Sequence, residues 1–162
     1  MDKLYIVCVD DQREVLNALM DDLKVFKPQI KMEACESAAE AFELIEEIDS
    51  RADHIAVVIS DHVMPGETGV DLLAKIKEDG RFRHTQKILL TGLATHQDTI
   101  RAINSGGIDH YFEKPWKVEK IRDVVKKLLT RYVLTVGLEY SALLPQLDQQ
   151  ELLDYLHRRA GN

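Results

Sequence analysis

The sequence predicts an α/β protein: a mostly parallel five-stranded sheet with helices on both faces. Five short runs rich in β-branched and aliphatic residues alternate with stretches whose apolar residues recur at helical spacing. Turn residues or capping patterns separate these runs. Strands that alternate with helices in this way pair in parallel, and the crossovers between them are expected to be right-handed.

The first two strands are predicted at residues 4–9 and 30–35. Between them, apolar residues at helical spacing predict a first helix that runs up to Pro28. The segment 30–35 alternates apolar and polar residues, as a half-buried strand does. Ser37 and Glu40 form a capping box that opens a second helix.

The third strand is predicted at residues 55–59 and ends in a carboxylate, Asp61. Pro65-Gly66 then breaks the chain. A second capping box starts at Thr68, and its helix ends at Gly80.

The fourth strand is predicted at residues 88–90 and is closed by Thr91-Gly92. A helix capped from Thr95 is stopped by Gly106-Gly107. The fifth strand is predicted at residues 108–112, Lys114-Pro115 follows it, and a last helix starts near Lys117.

The bulk properties exclude several classes of protein. A formal net charge of −7 argues against an electrostatic nucleic-acid binder, which needs a basic surface. No apolar run approaches the roughly 20 residues of a membrane span, and the first strand begins too early to leave room for a signal peptide. Cys8 and Cys35 lie in apolar stretches and are interpreted as buried, reduced thiols. We therefore expect a cytoplasmic protein.

Polar groups follow four of the predicted strands. Asp10 and Asp11 follow the first strand, Asp61 the third, Thr91 the fourth and Lys114 the fifth. Because the carboxyl ends of parallel strands share one edge of a sheet, these side chains are expected to converge there.

The chemistry of this set indicates phosphoryl transfer. Three carboxylates in one pocket repel one another unless a cation neutralises them, and oxygen ligands favour Mg²⁺. Lys114 offers a compact positive charge for a phosphoryl oxygen. A carboxylate such as Asp61 can itself be the nucleophile and form an aspartyl phosphate.

These motifs resemble the receiver domain of two-component response regulators. The resemblance runs from about residue 4 to about residue 129 and includes Asp10-Asp11, Asp61 with Met64-Pro65-Gly66, Thr91-Gly92, Tyr111 and Lys114-Pro115. It implies a flavodoxin-like, doubly wound sheet with strand order 2-1-3-4-5.

The resemblance also implies the roles of individual residues. Asp61 would accept the phosphoryl group from a sensor histidine kinase or phosphotransfer protein. Mg²⁺ would be bound by Asp10, Asp11, Asp61 and the backbone carbonyl of Val63. Lys114 would contact the phosphoryl group, and the Lys114–Pro115 bond would be cis. Thr91 and Tyr111 would form a switch pair that alters the surface around the fourth predicted helix and the fifth strand.

Two apolar residues suggest a slow loss of the phosphoryl group. Val63 and Leu93 lie two residues after Asp61 and Thr91, at positions that in receivers flank the route of the hydrolytic water. We hypothesise that they hinder this water.

The chain continues beyond the resemblance. We predict a receiver domain over residues 1–130 and a helical tail over residues 131–162. Apolar residues on a second face of the last helix and the leucines after Gly137 require a partner. Either the tail folds back on its own receiver, or it makes the chain a homodimer; the second alternative is favoured.

The sequence admits three functions. The first is a phosphorylation-controlled switch, either standing alone or as part of a longer regulator whose output domain is missing, with no enzyme activity beyond its own phosphorylation and dephosphorylation. The second is a Mg²⁺-dependent phosphohydrolase, disfavoured because Val63 stands where such enzymes commonly carry an acid. The third is an adaptor that is never phosphorylated, disfavoured by the intact acidic pocket.

Overall fold

The computed structural model describes residues 2–92, 97, 104 and 107–161 of the chain. Within them, parallel strands form a five-stranded sheet in the order β2-β1-β3-β4-β5. The strands are β1 (Leu4–Val9), β2 (Lys31–Cys35), β3 (His54–Asp61), β4 (Gln86–Thr91) and β5 (His110–Glu113). This confirms the predicted flavodoxin-like order.

Helices cover both faces of the sheet. In chain order they are α1 (Arg13–Asp22), α2 (Ala38–Ser50), α3 (Gly69–Glu78), α4 (Val118–Val136) and α5 (Gln149–Ala160). Ser37 and Thr68 cap α2 and α3 as predicted, since each side chain accepts a backbone N–H three residues later. Most of the helix predicted over residues 95–106 lies outside the described residues; of that range the structure describes Gln97 and Asn104, both in helical conformation.

Several predicted boundaries are displaced, and two of these displacements have a clear structural cause. Helix α1 ends at Asp22, and a short 3-10 turn over Lys24–Phe26 completes the segment and buries Phe26. Strand β5 begins two residues later than predicted, because Asp109 closes the ladder beside Lys87. The Asp109 N–H donates to the Lys87 carbonyl at 2.8 Å, and its carboxylate accepts the Lys87 N–H at 2.7 Å.

The apolar residues form one core on each face of the sheet. The first core packs α1 and α4 against the strands, and the second packs α2 and α3 against the opposite face. Cys8 lies in the first core and Cys35 in the second, both as buried free thiols. Burial raises the pKa of Cys8 far above its usual range and that of Cys35 to about 12, which favours the unreactive thiol form.

A lysine is buried in β4. The ammonium of Lys87 donates to the Thr85 carbonyl at 2.7 Å, and its side chain is almost fully removed from solvent. Burial lowers the pKa of Lys87, and the nearby Asp109 opposes this shift. The fold thus holds a positive charge in an apolar position of a strand.

The tail packs against the receiver that carries it. Helix α4 runs without a break past residue 130 and ends at Gly137, whose left-handed backbone (φ 81°) caps it. Leu143, Leu147 and Leu152 are then buried, the first two in the core beneath α1 and α4. Of the two predicted alternatives, the structure therefore contains the one in which the tail folds back on its own receiver.

Among the described residues, no helix combines the length and the apolarity that crossing a membrane would require.

Candidate functional site: an acidic pocket at the edge of the sheet

The carboxyl ends of the strands meet around one cavity. Asp10 follows β1, Asp61 and Thr91 end β3 and β4, and Lys114 follows β5. The cavity measures about 320 Å³ and is lined by Asp11, Gln12, Asp61, Val63, Thr91, Gly92 and Lys114. The predicted convergence of these side chains is present.

Three carboxylates face one another in this pocket. One oxygen from each of Asp10, Asp11 and Asp61 lies within 4.8 Å of the others. The ammonium of Lys114 lies 2.8 Å from Asp10 Oδ2 and 3.1 Å from Asp61 Oδ1. Lys114 therefore bridges two of the three acids, and among the described residues the pocket holds more carboxylates than cations.

Backbone hydrogen bonds place these side chains. The Asp10 N–H donates to the Cys35 carbonyl at 3.0 Å, which ties the end of β1 to β2. The Asp10 carboxylate accepts the Gln12 N–H at 2.8 Å, and Gln12 rather than an aspartate occupies the N-cap position of α1. The Lys114 N–H donates to the Thr91 carbonyl at 3.0 Å, so the loop after β5 is held against the end of β4.

The turn after Asp61 is packed closely against α3. The Gly69 N–H donates to the His62 carbonyl at 2.8 Å, and the Ser60 hydroxyl donates to the Asp61 carbonyl at 2.8 Å. A Cβ atom at Gly69 would overlap that same Asp61 carbonyl oxygen. The first residue of α3 must therefore be small for β3 to end where it does.

Burial and charge shift the ionisation of the pocket. Burial raises the pKa of Asp61, and Asp10 adds to the rise, while the hydrogen bond from Lys114 works against both. Burial by itself would lower the pKa of Lys114, but its hydrogen bonds to Asp10 and Asp61 outweigh this, and the pKa is raised. The lysine is therefore firmly cationic, and Asp61 takes up a proton more readily than an ordinary aspartate because its pKa is raised.

The donor set fits a hard divalent cation. The carboxylate oxygens of Asp10, Asp11 and Asp61 are the ligand type that Mg²⁺ prefers, and they lie close enough to share one ion. Burial is the main cause of the raised pKa of Asp61, and the repulsion from Asp10 that adds to it is what such a cation would relieve.

The remaining predicted residues lie at or near the pocket. Thr91 is buried and lines the cavity, and Val63 lines it with a side chain that is 66% exposed. Tyr111 is half-buried, packs against the second core and contacts Glu113 at 3.4 Å rather than lining the cavity. The Lys114–Pro115 bond is cis, as predicted. Leu93 lies outside the described residues.

Sequence reasoning missed three supporting residues. Gln12 lines the cavity, and its position directly after the Asp10-Asp11 pair was the available signal. Gly69 carried only the weaker signal of a glycine in the first turn of a helix. The indole N–H of Trp116 donates to Asp22 at 2.7 Å, joining the loop after Lys114 to the end of α1; nothing in the local sequence predicts that pair.

A 2-1-3-4-5 parallel sheet whose edge carries paired acids, a third acid and a lysine defines a receiver-type signalling domain. The sequence profile of the response regulator receiver domain matches residues 6–126. The chain therefore belongs to the family of response regulator receiver domains found in two-component systems.

Similar proteins from several bacteria support this assignment. The chain is 30% identical over 132 residues to response regulator Rre1 of Synechocystis, covering 79% of this chain and 52% of that protein. It is 28% identical to the hydrogenase transcriptional regulatory protein HoxA of Cupriavidus necator, covering 75% of this chain but 23% of HoxA. Chemotaxis protein CheY1 of Helicobacter pylori is 27% identical, with 78% and 97% covered. The chain thus spans about half or less of the two regulators and nearly the whole length of the chemotaxis protein.

Solved structures share the fold. The signal receiver domain of an HD domain-containing protein from Pseudomonas fluorescens superposes with a TM-score of 0.69 at 27% identity, covering 80% of this chain and 97% of that one. A response regulator receiver domain protein from Clostridium thermocellum gives a TM-score of 0.70 at 25% identity, with 82% and 98% covered.

Proposed function

We propose that this receiver domain is a switch controlled by phosphorylation of Asp61. The observation that carries the proposal is Lys114, which contacts Asp61 at 3.1 Å and Asp10 at 2.8 Å in a pocket with three carboxylates. A nucleophilic carboxylate needs an accessible oxygen and a nearby cation that steadies the incoming phosphoryl oxygens. Asp61 lines the cavity, and Lys114 supplies the cation.

In the proposed reaction, a carboxylate oxygen of Asp61 attacks the phosphorus of a phosphohistidine on a sensor kinase or phosphotransfer protein. The O–P bond forms as the P–N bond breaks, and its electron pair returns to the imidazole. Lys114 stays protonated and shifts from neutralising Asp61 towards a phosphoryl oxygen. Asp10 and Asp11 would hold Mg²⁺ together with Asp61, and the bound ion would supply charge neutralisation at the phosphoryl oxygens.

Phosphorylation would then change the pocket by adding acceptor oxygens and negative charge. Thr91 is placed to respond, because its buried side chain lines the cavity. Movement of Thr91 would alter the packing of Tyr111, which β5 carries beside β4. In this proposal the output is the surface around β5 and the segment that precedes it.

The experiment is phosphorylation by a small phosphodonor such as acetyl phosphate in Mg²⁺, followed by intact-mass analysis. We expect the mass of one phosphoryl group on the wild type and none on Asp61→Asn. The matched control is Asp123→Asn, which changes an exposed aspartate on α4 and should be phosphorylated like the wild type. Phosphorylation of the Asp61→Asn variant at the wild-type level would refute the assignment.

We further propose that the chain turns over no substrate besides its own aspartyl phosphate. The residue two positions after Asp61 is Val63, which cannot protonate a leaving group. Incubation with p-nitrophenyl phosphate and Mg²⁺ tests this, and sustained release of nitrophenol that Asp61→Asn abolishes would favour the phosphohydrolase alternative.

A further inference from the structure

The loop over residues 114–117, which carries Lys114, borders an open cavity of about 560 Å³. This cavity lies between the loop and α1, and it is distinct from the acidic pocket although Gln12 and Lys114 line both. Within the loop, the ring of Trp116 is partly buried against the first core, whereas Pro115 is exposed. Because the side of the loop that faces α1 is not close-packed, van der Waals contacts alone leave it room to move.

Asp22 bridges this cavity at the end of α1. Its carboxylate accepts the indole N–H of Trp116 at 2.7 Å, and its backbone carbonyl accepts the Nε–H of Arg122 at 2.6 Å. A hydrogen bond to an ionised carboxylate is stronger than one between neutral groups. The last residue of α1 therefore holds both the loop after Lys114 and the beginning of α4.

Helix stability does not explain an aspartate at this position. Helix α1 ends in Asp21-Asp22 and has no basic residue in its last turn. Negative charge is unfavourable there, because the helix dipole already places partial negative charge at the carboxyl end. Asp21 forms an ion pair with Lys24 at 3.0 Å, whereas the carboxylate of Asp22 contacts Trp116. The contact with Trp116 is therefore the better explanation of Asp22.

Hydrogen bonds fix the loop near both ends of α1. At the start of the helix, the Asp10 carboxylate accepts the Gln12 N–H at 2.8 Å and contacts the Lys114 ammonium at 2.8 Å. At the end of the helix, Asp22 holds Trp116, two residues after Lys114. Lys114 thus lies between two attachments to the same helix, and only one of them is in the acidic pocket.

We propose that Asp22 is a positioning residue, which acts through Trp116 to hold the Lys114 ammonium beside Asp61. The proposal rests on the proposed function, since it is the incoming phosphoryl oxygens that this ammonium must meet. Lys114 Nζ lies 3.1 Å from Asp61 Oδ1. A misplacement of about 1 Å can slow a reaction ~100-fold, and we expect loss of the distant hydrogen bond to slow phosphorylation by about tenfold. The carboxylates that would bind Mg²⁺ belong to β3 and the segment after β1, so affinity for the ion should not change.

The test compares rates of phosphorylation by acetyl phosphate in Mg²⁺, followed by intact-mass analysis. Asp22→Leu and Trp116→Phe each remove one partner of the hydrogen bond, and the phenylalanine keeps an aromatic ring in the first core. Both variants should react about tenfold more slowly than the wild type, while calorimetric titration with Mg²⁺ gives the wild-type affinity. Asp22→Asn keeps an acceptor oxygen and should recover most of the wild-type rate. Asp21→Leu is the matched control, because it places the same apolar side chain on the exposed neighbouring residue and should react like the wild type.

The indole group supplies a second readout in the metal-free protein. Trp116 is the single tryptophan of the chain, so its indole N–H gives one resonance in a ¹H–¹⁵N NMR spectrum. A hydrogen bond to a carboxylate moves this proton resonance downfield. Asp22→Leu should therefore move it upfield, and Asp21→Leu should leave it in place.

The possible outcomes separate this inference from the function on which it rests. A wild-type chain that takes up no phosphoryl group would refute the proposed function. A phosphorylated wild type whose rate is unchanged in Asp22→Leu and Trp116→Phe, or is lowered equally in Asp21→Leu, would overturn the positioning role alone. Mg²⁺ affinity that falls together with the rate would indicate general damage to the pocket and would also overturn it. Urea midpoints establish that each variant is folded, and Trp116→Phe decides alone if Asp22→Leu does not fold.

Discussion

Leu147 provides the sharpest test of how the tail is integrated into the receiver. Its side chain is fully buried in the core beneath α1 and α4. Leu147→Ala removes a volume close to three methylene groups, worth about 2.4 kcal/mol at ~0.8 kcal/mol each. The cavity left behind adds to this, so we expect the free energy of unfolding to fall by about 3 kcal/mol.

The control lies three residues earlier in the same turn of chain. Leu144 is 40% exposed, so Leu144→Ala should lower the free energy of unfolding by less than about 1 kcal/mol. Urea unfolding followed by far-ultraviolet circular dichroism measures both, with equal denaturant slopes expected because the surface exposed on unfolding hardly changes. Equal losses for the two variants would show that the tail does not pack on the receiver in solution, and the reasoning would fail.

Three further predictions concern the site and β4. Val63→Asn should speed loss of the phosphoryl group from Asp61 by about tenfold, which corresponds to a barrier lower by ~1.4 kcal/mol. The reason is that an exposed apolar side chain at the cavity is replaced by one that can bind water. The rate at which the phosphorylated form decays measures this effect. Gly69→Ala should lower the free energy of unfolding by about 2 kcal/mol or more, measured in urea, because the added Cβ overlaps the Asp61 carbonyl oxygen. Lys87→Met should raise the free energy of unfolding at pH 7 by about 1 kcal/mol, because an ammonium group that is costly to bury is replaced by an apolar side chain of similar length.

The Lys87 prediction carries a pH dependence of defined sign. Because its folded-state pKa is lowered, the folded protein favours the neutral amine, and the wild type gains stability as pH rises from the lowered folded pKa to the unfolded value near 10.4. The advantage of Lys87→Met should therefore shrink over that range. An advantage that is constant, or that grows with pH, would contradict burial as the cause of the shift.

The predictions for Gly69 and Val63 each have an outcome that would contradict them. Gly80→Ala is the control for Gly69→Ala, since a Cβ at Gly80 would meet nothing within 4 Å and should cost little stability. A Gly69→Ala protein as stable as Gly80→Ala would show that the turn after Asp61 has room to adjust. An unchanged rate of phosphate loss in Val63→Asn would show that Val63 does not slow the hydrolysis.

The sequence predicted the sheet and the pocket well, for an identifiable reason. Strand β1 matches its predicted bounds because a run of six buried apolar residues has no competing interpretation. The convergence of Asp10, Asp61 and Lys114 could be predicted from the sequence, because the carboxyl ends of parallel strands lie at one edge of the sheet. The pattern that locates the strands therefore also locates the side chains that follow them.

What the sequence could not predict depends on contacts between distant segments. The end of α1 and the start of β5 are set by the 3-10 turn at Phe26 and by the pairing of Asp109 with Lys87. The leucines of the tail predicted that they would be buried, but a periodic pattern does not identify the surface against which they pack. The docking of Asp148 on Thr130, 18 residues away, carries no local signal.

Helix α4 has a mechanical consequence. Its 19 unbroken residues span about 28 Å, from the loop after Lys114 to the turn that starts the tail. Near its start, Trp116 and Arg122 both bind Asp22 at the end of α1, at 2.7 and 2.6 Å, while Arg131 near its far end binds α5. One continuous helix therefore joins the loop beside the pocket to the tail, and any change in the position of Lys114 and Trp116 acts on the same element that holds α5.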